Sequence, residues 1–317
     1  MITDVPGIWV GHATDLSGLT GCTVILPERE AVGGVELRGW ATGVVGLDIL
    51  DLKHLAPTIH GVVLAGGSAF GLEAIWGVMQ YLEEHGVGYP TGPTRVPLVA
   101  GAILFDLGLG DHTARPNRAM GYEACRAVSN GPVEEGSVGA GTGATVGKLL
   151  GLKHATKGGV GSASARAGDL TVGALCAVNA LGDVRDPESG QLIAGARDAP
   201  DGRRLVDSAK LIREGKGLLP FASQHTTIGV VATNARLTKP EAAKVAQLSM
   251  LGYAKALSPP HTAHDGDVLF ALSVGSADAD LTTVGLLGAD AVARAIVRAV
   301  KSATSLGGIP AWRDIHA

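Results

Sequence analysis

Aromatic residues are scarce, at 4% of the 317-residue chain, and charged residues make up only 18%. The first shortage excludes a core built on ring packing, so small aliphatic side chains must fill it. The 26 basic and 30 acidic residues leave a formal charge of −4 with no basic run able to neutralise a phosphate backbone. No nucleic-acid partner is expected. Only three cysteines occur, Cys22, Cys125 and Cys176, and none forms a CxxC pair. They read as buried free thiols, which excludes a disulfide framework and suits a reducing cytoplasm. The amino-terminal Met-Ile-Thr-Asp-Val-Pro has neither the basic start nor the unbroken apolar stretch of a signal peptide. The longest apolar stretch, 61–79, is interrupted by Gly66, Gly67, Ser68 and Glu73, so no membrane span is expected.

What the chain has instead is glycine. Its 47 glycines and 15 prolines approach the level of low-complexity sequence, but 46% of residues are hydrophobic and mean hydropathy is +0.25. That apolar surface offsets the entropy of ordering, so a folded chain with closely approaching backbones is expected. No repeat and no long linker divides it, and 1–317 reads as one interwoven domain. Short β-branched runs at 20–26, 32–37 and 61–64 predict strands, as do the apolar run 96–105 and the hairpin 161–167/170–179 around Gly168-Asp169. Ser68, as N-cap, opens a predicted helix carried by Phe70, Ile75, Met79 and Leu82 to Gly86, and 117–128 is a second helix. Residues 185–224 concentrate polar and turn residues and read as an exposed excursion. After it come a strand at 226–233 and a helix opened by the capping box Thr238-Lys-Pro-Glu241. A strand at 268–274 and a helix at 289–303 complete a layered α/β (α+β) pattern of mostly antiparallel strands.

Four motifs compete for chemistry. The glycine cluster 139–148 resembles a phosphate loop, but Thr142 stands where the first glycine is required and Leu149 replaces the magnesium-binding hydroxyl. It reads as a close-packed turn, and no cofactor is expected. Residues 62–71 form a strand, a turn and a helix with Ser68 at the turn, the context of a nucleophile elbow, although Phe70 displaces the second glycine by one place. Ser68 is thus either a cap or the nucleophile of an α/β-hydrolase-type serine esterase. His261, His264, Asp265 and Asp267 place four potential metal ligands within seven residues, so a metal-dependent hydrolase is a further alternative. The same two aspartates at a strand mouth also suit a carboxylate pair that orients a nucleophile. Last, Thr226 begins a strand directly after the polar excursion. A threonine becomes a competent nucleophile when its own α-amine, with an ordinary pKa near ~8, acts as the base, which requires cleavage of the chain before it.

Thr226-Thr-Ile-Gly-Val-Val-Ala-Thr233-Asn234, the earlier Leu64-Ala-Gly-Gly-Ser-Ala-Phe-Gly-Leu72 and the later Asp265-Gly-Asp267 together resemble one family across nearly the whole chain. It is the self-processing family of L-aminopeptidase/D-esterases, β-peptidyl aminopeptidases and 6-aminohexanoate-oligomer (nylon oligomer) hydrolases. The threonine resembles the nylon-oligomer branch. The resemblance implies a four-layer αββα fold of the N-terminal-nucleophile hydrolases, cut at His225–Thr226 into chains 1–225 and 226–317 and assembled as a homo-oligomer, a tetramer. It assigns Thr226 as nucleophile, Asn179 as oxyanion donor, Asp265 and Asp267 as paired acids, and Lys148, with Lys157 as the competing choice, as the active-site lysine. Two positions depart from the pattern. His225 precedes the nucleophile where relatives have asparagine or glycine, which implies cleavage at an altered rate. Phe105 stands where aminopeptidase relatives have a tyrosine, which weakens any expectation of their β-peptide specificity. The implied substrates are small peptides, amides or esters.

Overall fold

Alternation of side chains between two buried faces builds the molecule, described here by a computed structural model for residues 1–216 and 225–317. Two five-stranded sheets are formed by β1 (Ile8–Asp15), β2 (Thr20–Pro27), β3 (Val32–Leu37), β4 (Val44–Val45), β5 (Gly61–Ala65), β6 (Val99–Ile103), β7 (Gly159–Ala167), β8 (Leu170–Asn179), β9 (Thr226–Ala235) and β10 (Val268–Ala277). The first sheet has the order β1-β2-β5-β6-β4 and the second β7-β8-β9-β10-β3. Only β5/β6 and β9/β10 pair in parallel; the other neighbours are antiparallel.

Strand β5 shows why both faces of each sheet are apolar. Val62 and Leu64 enter a core between the sheets with Leu175, Ile228 and Phe270, whereas Val63 and Ala65 face helices α1 (Ala74–Glu84) and α2 (Arg118–Arg126). After α3 (Ser208–Arg213), helices α4 (Lys239–Ser249), α5 (Leu251–Ala256) and α6 (Leu281–Ser302) cover the outer face of the second sheet. The result is the expected αββα order. Glycine sets how closely the layers approach. A Cβ at Gly161 would lie 2.1 Å from the Ala295 carbonyl oxygen, so α6 rests on the backbone of β7.

Several predicted elements differ in detail. Ser68 is not a cap: Gly67 is the N-cap, and residues 68–73 form a 3₁₀ turn before α1. The helix expected at 289–303 begins at Leu281, eight residues early, because Asp280 caps it by accepting the Thr283 N–H at 2.8 Å. Strand β1 carries no uniform apolar run because it is an edge strand with a half-exposed surface. The capping box of α4 is present, with the Thr238 N–H donating to Glu241 Oε2 at 2.7 Å.

The excursion is also less exposed than its composition suggests. Arg197 and Ser208 are buried, and the buried Asp183 accepts hydrogen bonds from the Ala196 N–H, the Ser208 N–H and the Ser208 hydroxyl. Its end, residues 217–224, lies outside the described residues. Among the described residues no helix is long and apolar enough to cross a membrane.

Candidate active site

Register brings the separated motifs together. Asn179, the last residue of β8, lies directly opposite Thr226, the first of β9. Because β10 runs parallel to β9, with Val268 opposite Ile228, the residues just before β10 stand level with the start of β9. His225 and Asp265 form a parallel bridge there. Thr226, Asn179, Asp265 and Asp267 are all at most 2% exposed, and Lys148 is 8% exposed.

The His225–Thr226 peptide bond sits at the centre of this cluster. Thr226 Oγ1 donates to the His225 carbonyl oxygen at 2.6 Å, and the Gly266 N–H donates to the same oxygen at 2.7 Å. Two donors on one carbonyl draw electron density toward oxygen and make its carbon more electrophilic. The His225 N–H is fixed in turn by the His264 carbonyl at 3.2 Å.

Each carboxylate organises backbone around that bond. Asp267 Oδ1 accepts the Thr227 N–H at 2.7 Å, and its Oδ2 accepts the His261 N–H at 3.0 Å and lies 2.9 Å from His261 Nδ1. Asp265 Oδ1 accepts the Leu181 N–H at 3.3 Å, and its Oδ2 accepts the backbone N–H and the hydroxyl of Thr262. Burial and the neighbouring Asp267 raise the Asp265 carboxyl well above the usual carboxylate range, against the opposing bonds from Thr262. A strap from β3 closes over both: the Ala41 and Arg38 N–H groups donate to the carbonyls of Asp265 and Asp267 at 3.1 and 3.0 Å. A Cβ at Gly39 would meet the Asp265 oxygen at 1.9 Å.

Asn179 and Lys148 form the other wall. Lys148 Nζ donates to the Asn179 carbonyl oxygen at 2.8 Å and to Oδ1 at 2.7 Å, while Asn179 Nδ2 donates to the Phe105 carbonyl at 3.0 Å. Burial lowers the Lys148 ammonium to about 7, opposed by the attraction of Asp265. The rival Lys157 points elsewhere, donating to the carbonyls of Thr142 and Ala144 at 2.7 and 2.8 Å.

The two alternatives lose their geometry. His261 and Thr262 are committed to Asp267 and Asp265 while His264 is exposed, and among the described residues no three ligating side chains gather in a metal-binding group. The seven-residue cluster therefore does not assemble as a ligand set. Ser68 is half-buried on the other sheet, and no histidine or carboxylate hydrogen-bonds its hydroxyl among the described residues. Its surroundings are a mostly antiparallel two-sheet core, not the parallel sheet that supports an elbow serine.

A family model for peptidase family S58 matches residues 1–311. The chain belongs to peptidase family S58. This S58 peptidase is 38% identical to an uncharacterized aminopeptidase of Mycobacterium bovis, over 99% of its own length and 97% of the relative's. It is 32% identical to a 6-aminohexanoate-oligomer endohydrolase of Kocuria sp., over 88% of its length and 76% of that protein's. The solved L-aminopeptidase D-Ala-esterase/amidase of Ochrobactrum anthropi, described as a variant of the Ntn hydrolase fold, matches with a TM-score of 0.73 at 23% identity. That match covers 98% of this chain and 88% of the other. A Burkholderia sp. β-aminopeptidase matches with a TM-score of 0.70 at 22% identity, covering 99% and 92%. The S58 peptidase thus has the N-terminal-nucleophile hydrolase fold and is a hydrolase of amide bonds.

Sequence reasoning missed the backbone members of its site. The Gly266 N–H, the Phe105 carbonyl and the Thr145 N–H, which donates to Asn179 Oδ1 at 3.0 Å, carry no side-chain signature. The glycine between two aspartates was the one available signal, since a Cβ at Gly266 would lie 2.4 Å from the Ala41 oxygen.

Proposed function

We propose that this S58 peptidase cuts itself between His225 and Thr226 and then uses Thr226 as an amino-terminal nucleophile on short linear amides and esters. The observation that carries the reading is the Thr226 hydroxyl lying against the His225 carbonyl oxygen, with the Gly266 N–H on that oxygen.

In the first act Thr226 Oγ1 attacks the His225 carbonyl carbon through a five-membered ring, and the Gly266 N–H holds the developing oxyanion. The C–N bond breaks, the nitrogen of Thr226 takes up a proton as the ester forms, and water releases the His225 carboxylate and restores the hydroxyl. In the second act the new α-amine takes the proton from Oγ1, which attacks the substrate carbonyl. Asn179 Nδ2 supports this step: one of its hydrogens is spent on Phe105, and the other serves the substrate oxyanion. The departing amine receives the proton, and water then clears the acyl-enzyme. Asp267 holds the strand start through the Thr227 N–H; in this reading Asp265 and Asp267 face the new amine, and the charged form of Lys148 opposes its protonation.

The names of the relatives favour peptides, amino-acid amides and esters, and ω-amino-acid oligomers as substrates. The buried free thiols favour the cytoplasm, and the family resemblance favours a tetramer of paired fragments. Intact mass spectrometry of the purified protein tests the central step. Fragments dividing after His225 are expected, and only full-length mass would count against the proposal. Co-expression of residues 1–225 with a chain whose amino terminus is Thr226 separates the two acts. That pair is expected to hydrolyse an amino-acid p-nitroanilide without any cleavage step.

A further inference from the structure

We infer that Lys157 and Asp106 are positioning residues that hold the Asn179 carboxamide in its reactive orientation, acting through the turn 142–145 and the backbone of Phe105. The inference rests on the reading of Asn179 as the oxyanion donor. A carboxamide has one donating and one accepting end, so its use depends on which end faces the nucleophile. Here Oδ1 accepts from the Thr145 N–H and from Lys148, and Nδ2 donates to the Phe105 carbonyl. Two of these three partners are backbone groups, which must be held by something else.

Lys157 holds the first. It is fully buried, and its backbone pairs with Thr145 in a short antiparallel ladder. Its Nζ donates to the carbonyls of Thr142 and Ala144, the residues that lead into Thr145. Asp106 holds the second. It directly follows Phe105, and its carboxylate accepts the Gly67 N–H and the Thr20 hydroxyl, each at 2.7 Å. Asp106 also packs against the turn that Lys157 holds, because a Cβ at Gly143 would lie 2.6 Å from Asp106 Cβ. Burial pushes the Asp106 carboxyl up and the Lys157 ammonium down to about 7, and each shift is opposed by the charge of the other group. Burying two ionisable groups without a direct ion pair is unfavourable, and such groups persist where their hydrogen bonds fix a particular arrangement.

A double-mutant cycle on the purified, processed enzyme tests this, with Lys157→Met, Asn179→Ala and the pair assayed on an amino-acid p-nitroanilide. Lys157→Met is expected to lower kcat by roughly tenfold to a hundredfold, part of the loss that removal of an oxyanion donor brings, with KM within about threefold. In the Asn179→Ala background the same substitution is expected to change kcat by less than about twofold, because its route of action is gone. Equal losses in both backgrounds, or a change confined to KM, would overturn the inference. Should Lys157→Met fail to fold, Asp106→Asn takes its place in the cycle, with a loss of about threefold to tenfold expected and the same non-additivity required. Full activity of Lys157→Met beside an impaired Asn179→Ala defeats this inference alone. An unimpaired Asn179→Ala defeats the oxyanion reading and this inference with it.

Discussion

Two hydroxyls in this protein sit at the end of a buried strand next to glycine-rich backbone, and only one has company. Ser68 follows β5 in the first sheet and takes a left-handed backbone with φ +54°, the kind of strained turn that often displays a nucleophile. Its N–H is tied to the Leu104 carbonyl, but no base hydrogen-bonds its hydroxyl among the described residues. Thr226 starts β9 in the second sheet with ordinary local signals. Sheet register nevertheless delivers Asn179, Lys148, Asp265 and Gly266 to it from positions between 39 and 78 residues away. Local strain marks where a chain turns, whereas reactivity depends on what other strands bring.

The largest expected contrast comes from removing each of the two hydroxyls in turn. Thr226→Ala is expected to leave the chain uncut and to lower kcat/KM by about 10⁴-fold, whereas Ser68→Ala is expected to stay within about threefold with normal cutting. Intact mass and p-nitroanilide kinetics read both outcomes, and loss of activity in Ser68→Ala with Thr226→Ala active would reverse the assignment.

A proton-linked difference comes next. Burial holds both Lys148 and Lys157 down to about 7 from the usual 10.5. Between about pH 7 and 10 the unfolded chain therefore binds protons that the folded chain does not, so raising pH favours folding. Above about pH 9 the buried thiols of Cys22, Cys125 and Cys176, held protonated by burial, act in the opposite direction. Thermal denaturation of the uncut Thr226→Ala chain is expected to show Tm rising from pH 7 to 9. Lys148→Met should flatten the rise and Ser68→Ala should leave it intact; a Tm that falls across this window would contradict the buried lysines.

The smallest effect concerns Ser68 itself. Relief of its left-handed strain outweighs the extra chain entropy of glycine, so Ser68→Gly in the Thr226→Ala background is expected to stabilise by about 1 kcal/mol in urea unfolding. A loss of that size would mean that the serine side chain makes a contact worth more than the strain.

These contrasts also explain what could be read in advance. The layered fold, the strand start at Thr226 and the capping box of α4 were legible because each rests on side-chain chemistry within a few residues. The side chains of the site were named through family resemblance, since Asn179 and Lys148 carry no local pattern that links them to Thr226. The backbone donors and acceptors were illegible, because any residue but proline supplies an N–H and every residue a carbonyl. Ser68 misled for a related reason: serine after two glycines favours a cap, but the left-handed turn at Gly67 moved the cap back by one residue. The start of α6 was hidden by Thr282 and Thr283, whose β-branching masked the cap at Asp280.

The hydroxyl of Thr226 and the carbonyl it touches belong to adjacent residues. Maturation by that route is unimolecular, so its rate is independent of how dilute the protein is, and the effective concentration of nucleophile at the bond exceeds what any dissolved competitor supplies. On the proposed route a reagent added from outside would meet a finished catalyst, and control over its appearance would lie in when the chain is made and folded.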